Sequence, residues 1–258
     1  MRLLFIGDIV GKPGREIAGA QLKNIRKEEN LDCIIANGEN AAGGSGLTPQ
    51  ITDELLQGGI DVLTSGDHIW KKRDIYEYLQ SSRRLIRPAN YPKGAPGKGS
   101  TVVEIGNVKV GVINLLGRVF MDPLDCPFAR VKEELELVRE RTPIVLVDMH
   151  AEATSEKVAM GWYLDGKVSA VVGTHTHIQT ADEKILPKGT AYITDCGMTG
   201  PYDSVIGRKK EIIVQRFVDQ LPNRFEMASD WVEMHGVIVD IDESTGKATG
   251  IKRVQYKR

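Results

Sequence analysis

The chain has 258 residues, of which 41% are hydrophobic and 27% charged, with a formal net charge of −1; that length supports a sizeable core, and the charge gives no bulk attraction to nucleic acid or to an anionic membrane. The three cysteines, Cys33, Cys126 and Cys196, are far apart and odd in number, which argues against a disulfide framework and suits a reducing compartment. Only four consecutive apolar residues (3–6) precede Gly7-Asp8, too few for a signal peptide, and no stretch reaches membrane-spanning length, so a cytoplasmic location is expected.

In chain order, the apolar run 3–6 reads as a buried strand, and a glycine-containing turn then leads into a helix over about 15–29. Residues 33–36 form the next buried run. Thr48-Pro49 opens a helix, with threonine as cap and proline at the first helical position, and Gly58-Gly59 closes it. A third strand covers 62–64. The aromatic residues Trp70, Tyr76 and Tyr78, beside basic residues 71–73, read as a helix packing on the core rather than as a base-stacking surface. Residues 88–99 are a Gly/Pro-rich loop. Strand patterns follow at 108–114, 144–147 and 170–172, with helices at 128–141, 155–164 and 209–220. The tail, 236–256, reads as two strands joined at Ser244-Thr245-Gly246. Residues 1–258 are therefore expected to form a single α/β domain. The stretch GDIVGKPG has neither Walker spacing nor the G-x-G-x-x-G fingerprint, which argues against a P-loop or a nicotinamide dehydrogenase.

Five of the apolar runs end in the same kind of sequence: Gly7-Asp8, Asn37-Gly38-Glu39-Asn40, Gly66-Asp67-His68, Asp148-Met149-His150 and Gly173-Thr174-His175-Thr176-His177. The carboxyl ends of strands are where α/β sheets bind ligands. Four of the five histidines fall at these ends; the fifth, His235, lies in an alternating pattern and reads as structural. Taken singly, Gly7-Asp8 reads as a turn, Glu39-Asn40 as a helix cap and His150 as a structural histidine. Together, imidazoles, carboxylates and an amide oxygen make a donor set for iron or manganese, with zinc compatible. In a strand, positions i and i+2 share a face, so His175 and His177 are expected to converge. Asp8, Glu39, Asn40, Asp67, His150, His175 and His177 are seven ligands, too many for one ion with open positions and about right for two. Two ions roughly 3.5–4 Å apart are a known arrangement for phosphoryl hydrolysis.

In order and type, these motifs resemble the calcineurin-like metallophosphoesterases, and in particular the YmdB-like branch. The longer stretches GDIVGKPGR, NGENAAGG, NLLGRVFMDP, GTHTHIQTADE and GMTGPYDSVIG carry that resemblance over essentially the whole chain. It implies an αββα sandwich with a dinuclear site at the carboxyl ends of the strands. It also implies hydrolysis of 2′,3′-cyclic nucleotides to 3′-nucleotides through a metal-bridged hydroxide. By position, Asp8, Glu39, Asn40 and His177 would hold the first metal, and Glu39, Asp67, His150 and His175 the second, with Glu39 bridging. His68 has no metal role and would protonate the leaving 2′ oxygen. The wider superfamily has Asp-x-His in its first motif, whereas this chain has Asp8-Ile9-Val10, and Asn40 takes the place of that histidine.

One departure is Asp67, where the family motif has asparagine. An ionised Asp67 takes the formal charge of two divalent ions, two carboxylates and a hydroxide from +1 to 0, weakening attraction for an anionic phosphodiester. Two other readings stand beside the enzyme: a low-turnover regulatory or binding protein that keeps the metal site, and a broader phosphoesterase. The expected partner is a small cyclic nucleotide, without stable nucleic-acid binding or membrane attachment, in a homo-oligomer. Loops 117–127 and 196–207 are expected to line the pocket.

Overall fold

The computed structural model describes residues 1–257. Strand β1 (Arg2–Ile6) leads through β2 (Asp8–Ile9) into helix α1 (Gly11–Glu28), then β3 (Cys33–Asn37), α2 (Pro49–Gln57) and β4 (Val62–Thr64). A short 3₁₀ turn, Asp67–Lys71, precedes α3 (Ile75–Ser81). The second half contains β5 (Ser100–Ile105), β6 (Val108–Leu116), α4 (Pro127–Arg139), β7 (Val145–His150), α5 (Thr154–Leu164) and β8 (Ala170–Thr174). It continues with β9 (Lys184–Ile185), β10 (Ala191–Ile193), β11 (Met198–Pro201), α6 (Lys210–Asp219), β12 (Val232–Ile241) and β13 (Ala248–Lys257).

These strands form two sheets. The first runs β2-β11-β12-β1-β3-β4, with β13 paired to β12; the second runs β5-β6-β7-β8-β10-β9. Within the first, β1, β3 and β4 are parallel; within the second, β6, β7, β8 and β10 are parallel. Helical crossovers link most of these parallel strands, as parallel pairing requires. Alternation along each strand then sorts side chains into layers. Leu3, Phe5, Cys33, Ile35 and Val62 meet Val110, Val112, Leu146, Ala170 and Val172 between the sheets. Leu4, Ile6, Ile34, Ala36 and Leu63 face the other way, onto Ile17, Leu22 and Leu55. Ile113, Leu115, Val145 and Val147 face Val131, Leu135, Met160 and Leu164. Each face of each sheet is thus apolar, which gives the expected αββα order.

Two expectations are refined. Helix α1 begins at Gly11 rather than near Arg15, because Gly11 (φ +61°) turns the chain directly into it. Gly14 lies in the first helical turn, where a Cβ would stand 2.1 Å from the Thr199 carbonyl oxygen, so close packing beneath β11 requires glycine. Trp70 sits in the short 3₁₀ helix and Tyr76 and Tyr78 in α3, and the Trp70 ring meets Tyr76 and Tyr91 edge-on with centroids 5.4 and 5.2 Å away. This aromatic group packs on the core.

Candidate metal centre

The carboxyl ends of β1, β3 and β4 in one sheet and of β7 and β8 in the other open onto the same place. Asp8 begins β2, just past β1, and is fully buried. Glu39 and Asn40 follow β3, Asp67 and His68 open the 3₁₀ turn after β4, His150 ends β7, and His175 and His177 follow β8. All eight residues singled out from the sequence are brought together.

Glu39, Asp67, His150 and His175 form the tightest group, their ligand atoms all within 4.8 Å of one another. His150 Nε2 lies 3.3 Å from Glu39 Oε1, 3.4 Å from Asp67 Oδ1 and 3.0 Å from His175 Nδ1. Beside it, His177 Nε2 is 3.8 Å from Asp8 Oδ1 and 3.3 Å from Asn40 Nδ2, and Asn40 Nδ2 donates to Glu39 Oε1 at 2.9 Å. Glu39 therefore touches both groups. His68 stands at the side, Nδ1 2.7 Å from Asn40 Oδ1 and Nε2 3.6 Å from Asp67 Oδ2. The backbone permits this crowding at one place above all: a Cβ on Gly66 would lie 2.2 Å from Glu39 Oε2 and 2.3 Å from His150 Nε2.

His175 and His177 do converge, but not as neighbours on a strand face. β8 ends at Thr174, and both histidines adopt left-handed backbone, φ +99° and +65°. The turn sends His175 to the Asp67–His150 side and His177 to the Asp8–Asn40 side. A buried pair holds it there: Asp195 Oδ2 accepts from the Thr176 amide (3.1 Å), the Thr176 hydroxyl (2.6 Å) and Lys157 Nζ (2.7 Å). Lys157 Nζ also donates to the Thr174 carbonyl at 3.0 Å. Strained backbone of this kind persists only when its surroundings over-determine it.

The electrostatics follow from carboxylates and imidazoles packed against one another. Burial raises the Asp8 carboxyl above its ordinary range, against the pull of His177 and His150. Burial also works against charge on Glu39, but His150 and His68 outweigh it and hold the carboxyl well below its usual range. For His150, burial opposes the charged ring, yet Glu39, Asp67 and Asp8 hold it well above the ordinary value. Burial and the neighbouring His150 push His175 down to about 4. The hydrogen bond to Glu39 raises His68, against partial burial. Strong mutual perturbation of this sort marks functional clusters.

The residues fit bound cations. Asp8 Oδ1 and Asp67 Oδ1 are buried and have no hydrogen-bond partner, and each points at imidazole nitrogens. Buried oxygens without partners are rare and costly. Metal-ligating histidines typically engage their second nitrogen elsewhere, as these do: His177 Nδ1 lies 3.0 Å from the Ile206 carbonyl oxygen, His175 Nε2 3.2 Å from Glu152 Oε2 and His150 Nδ1 2.9 Å from Thr174 Oγ1.

Sequence reasoning passed over Asn37, Asp148, Lys157, Thr174, Asp195 and Glu152, which brace the cluster. The available signal was Asp148, two positions before His150 in an apolar strand and so on the same face. It is fully buried, and burial pushes its carboxyl up to about 6.

Four layers with an acid–histidine–amide cluster at the carboxyl ends of both sheets define a calcineurin-like phosphoesterase architecture. A calcineurin-like phosphoesterase of Bacillus subtilis matches it with a TM-score of 0.55, over 100% of this chain and 90% of that one; at 11% identity, this is a likeness of fold alone. Within that class the chain belongs to the YmdB-like family, whose model matches residues 4–254. It is 51% identical over 254 residues to the 2′,3′-cyclic-nucleotide 2′-phosphodiesterase of Bacillus subtilis (strain 168), spanning 98% of this chain and 96% of that protein. The crystal structure of a novel phosphatase from Mycoplasma pneumoniae has a TM-score of 0.92 at 34% identity, covering 100% of this chain and 93% of that one.

Proposed function

We propose that the chain is a dinuclear metal-dependent phosphodiesterase that opens 2′,3′-cyclic nucleotides at the 2′ oxygen and leaves the 3′-phosphate. The observation that carries this is the convergence of seven donor residues around two partnerless buried carboxylate oxygens. The named activity of the Bacillus subtilis relative supplies the substrate class.

Asp8, Glu39, Asn40 and His177 would hold one ion and Glu39, Asp67, His150 and His175 the other. Iron or manganese suits these oxygen and imidazole donors, and zinc is compatible. When bound, two such ions activate water and offset phosphodiester charge. Asn40 would serve through its amide oxygen. His68 is the proton donor to the leaving oxygen. Its ring is partly exposed, stands beside the cluster and holds its proton more firmly than an ordinary histidine. Phe120 is the side chain assigned to the base, because its loop follows β6, whose last residue Leu116 pairs with His150. It is 91% exposed at the tip of the loop after β6, with φ +61°, and buried Glu156 anchors that loop by accepting from the Arg118 and Val119 amides.

The test is hydrolysis of 2′,3′-cAMP with product identification, alongside p-nitrophenyl esters. That the similar Mycoplasma pneumoniae protein is described as a phosphatase favours a second reading, a broader phosphoesterase, which would turn over the p-nitrophenyl esters at comparable rates.

The same reading places the protein in the cytoplasm, in keeping with three unpaired cysteines. Among the described residues, no helix is long and apolar enough to cross a membrane. A homo-oligomer is favoured by the exposed apolar residues Val214, Phe217 and Val218, which share one face of α6; light scattering after gel filtration tests it.

A further inference from the structure

Beneath the cluster lies a buried polar hub whose hydrogen bonds have one consistent direction. Asn37 Oδ1 accepts from the Glu39 amide at 3.1 Å, so its Nδ2 must face the other way, donating to Asp148 Oδ2 (3.0 Å) and to the Ser65 carbonyl (3.2 Å). Thr64 donates its hydroxyl to the same Asp148 oxygen at 2.5 Å. Thr174 donates to the other oxygen, Oδ1, at 2.7 Å. With its single proton committed to Asp148, Thr174 Oγ1 has only lone pairs left for His150 Nδ1, 2.9 Å away. Asn37 Nδ2 also lies 3.3 Å from that nitrogen, but both of its hydrogens are already placed. Nδ1 of His150 therefore bears a proton, and Nε2 is the nitrogen that faces Glu39, Asp67 and His175 and is left to bind a cation.

We propose that Asp148 and Thr174 are positioning residues that set the tautomer of His150 and so make its Nε2 a metal ligand. The hub also sets the Glu39 loop through Asn37. It draws on β3 and β4 from one sheet and on β7 and β8 from the other, so one carboxylate registers ligands contributed by both sheets. Its four members, Asn37, Thr64, Asp148 and Thr174, are fully buried. This inference rests on the cluster being a metal site, but not on the identity of the substrate.

The experiment uses Zn²⁺, which is diamagnetic, on the full chain. Wild type, Thr174→Val, Thr174→Ser and Asp148→Asn are titrated with Zn²⁺ against a chelating competitor, and ¹⁵N-histidine spectra are recorded on the loaded proteins. Wild type should show His150 protonated on Nδ1. Thr174→Val keeps the shape of the residue, removes the acceptor and leaves Asp148 its other two donors. It should weaken Zn²⁺ binding by about 10- to 100-fold and lose the protected Nδ1 proton, and Asp148→Asn should weaken binding similarly. Thr174→Ser should restore both properties, a rescue that loss of a methyl-packing contact would not predict. Wild-type Zn²⁺ affinity with no effect of Thr174→Val, or a wild-type His150 protonated on Nε2, overturns the relay while leaving the metal site standing. Wild-type protein that takes up no Zn²⁺ overturns the metal site and the relay with it.

Discussion

Replacing Gly66 by alanine tests the cluster at its most crowded point. The new Cβ would stand 2.2 Å from Glu39 Oε2 and 2.3 Å from His150 Nε2, and restoring an ordinary contact near 3.4 Å requires each group to withdraw by roughly 1 Å. Both are proposed ligands of the same ion, and metal–ligand distances tolerate only about ±0.2 Å. Displacement of roughly 1 Å at a reacting centre typically costs about 10²-fold. The fold should survive. Gly66 has a negative φ of −152°, outside the left-handed region, and overpacking of about 1–3 kcal/mol is partly offset by lost freedom in the unfolded chain. Gly66→Ala should therefore fold cooperatively, bind its second equivalent of Mn²⁺ at least about tenfold more weakly and lose about 10²-fold in kcat/KM. Calorimetric Mn²⁺ titration and 2′,3′-cAMP kinetics measure this. A variant with wild-type stoichiometry, affinity and rate would refute the placement of Glu39 and His150 on one ion.

Four further outcomes are expected. His68→Ala should retain both metals by elemental analysis and lose about 10²–10⁴-fold in turnover; loss of metal with unchanged turnover per metal would remove His68 as the proton donor. Because the hydrogen bond to Glu39 and the nearby Asp67 hold the proton on His68, the alkaline limb of kcat/KM should lie above the ordinary 6.5, activity falling as pH rises through it. Asp67→Asn should keep metal and raise kcat/KM about fivefold, since a unit charge roughly 6 Å from the phosphate in a partly solvated site contributes about 1 kcal/mol; its alkaline limb should also move down, and an unchanged or lower kcat/KM would refute the charge reasoning. Phe120→Ala should raise KM for cyclic nucleotides about tenfold with kcat little altered, as expected for a lost stacking contact.

Much of the site was legible because its residues interrupt apolar strands at positions where packing has no use for them. Asp8, Glu39, Asp67, His68 and His150 each follow or end a run of buried aliphatic residues, and the parallel order of β1, β3 and β4 and of β7 and β8 brings those ends together. The route by which His175 and His177 converge was not legible. A period-two argument assumes extended backbone, whereas the Lys157–Asp195 pair that holds the left-handed turn is assembled from residues 38 apart in the chain. The same holds for the hub: Thr64 and Asp148 are 84 residues apart, and each alone reads as one polar residue in an apolar strand. The edge strands β5 and β9 and the short β10 and β11 were also missed, since two to four residues, or a run with mixed exposure, carry little periodic signal.

The most direct test of the proposed function is product analysis of 2′,3′-cAMP hydrolysis by chromatography, using protein stripped of metal and then reloaded with Mn²⁺. Metal-dependent formation of 3′-AMP, absent from the stripped protein, is the predicted result. Formation of 2′-AMP, or equal hydrolysis by stripped and reloaded protein, would contradict it.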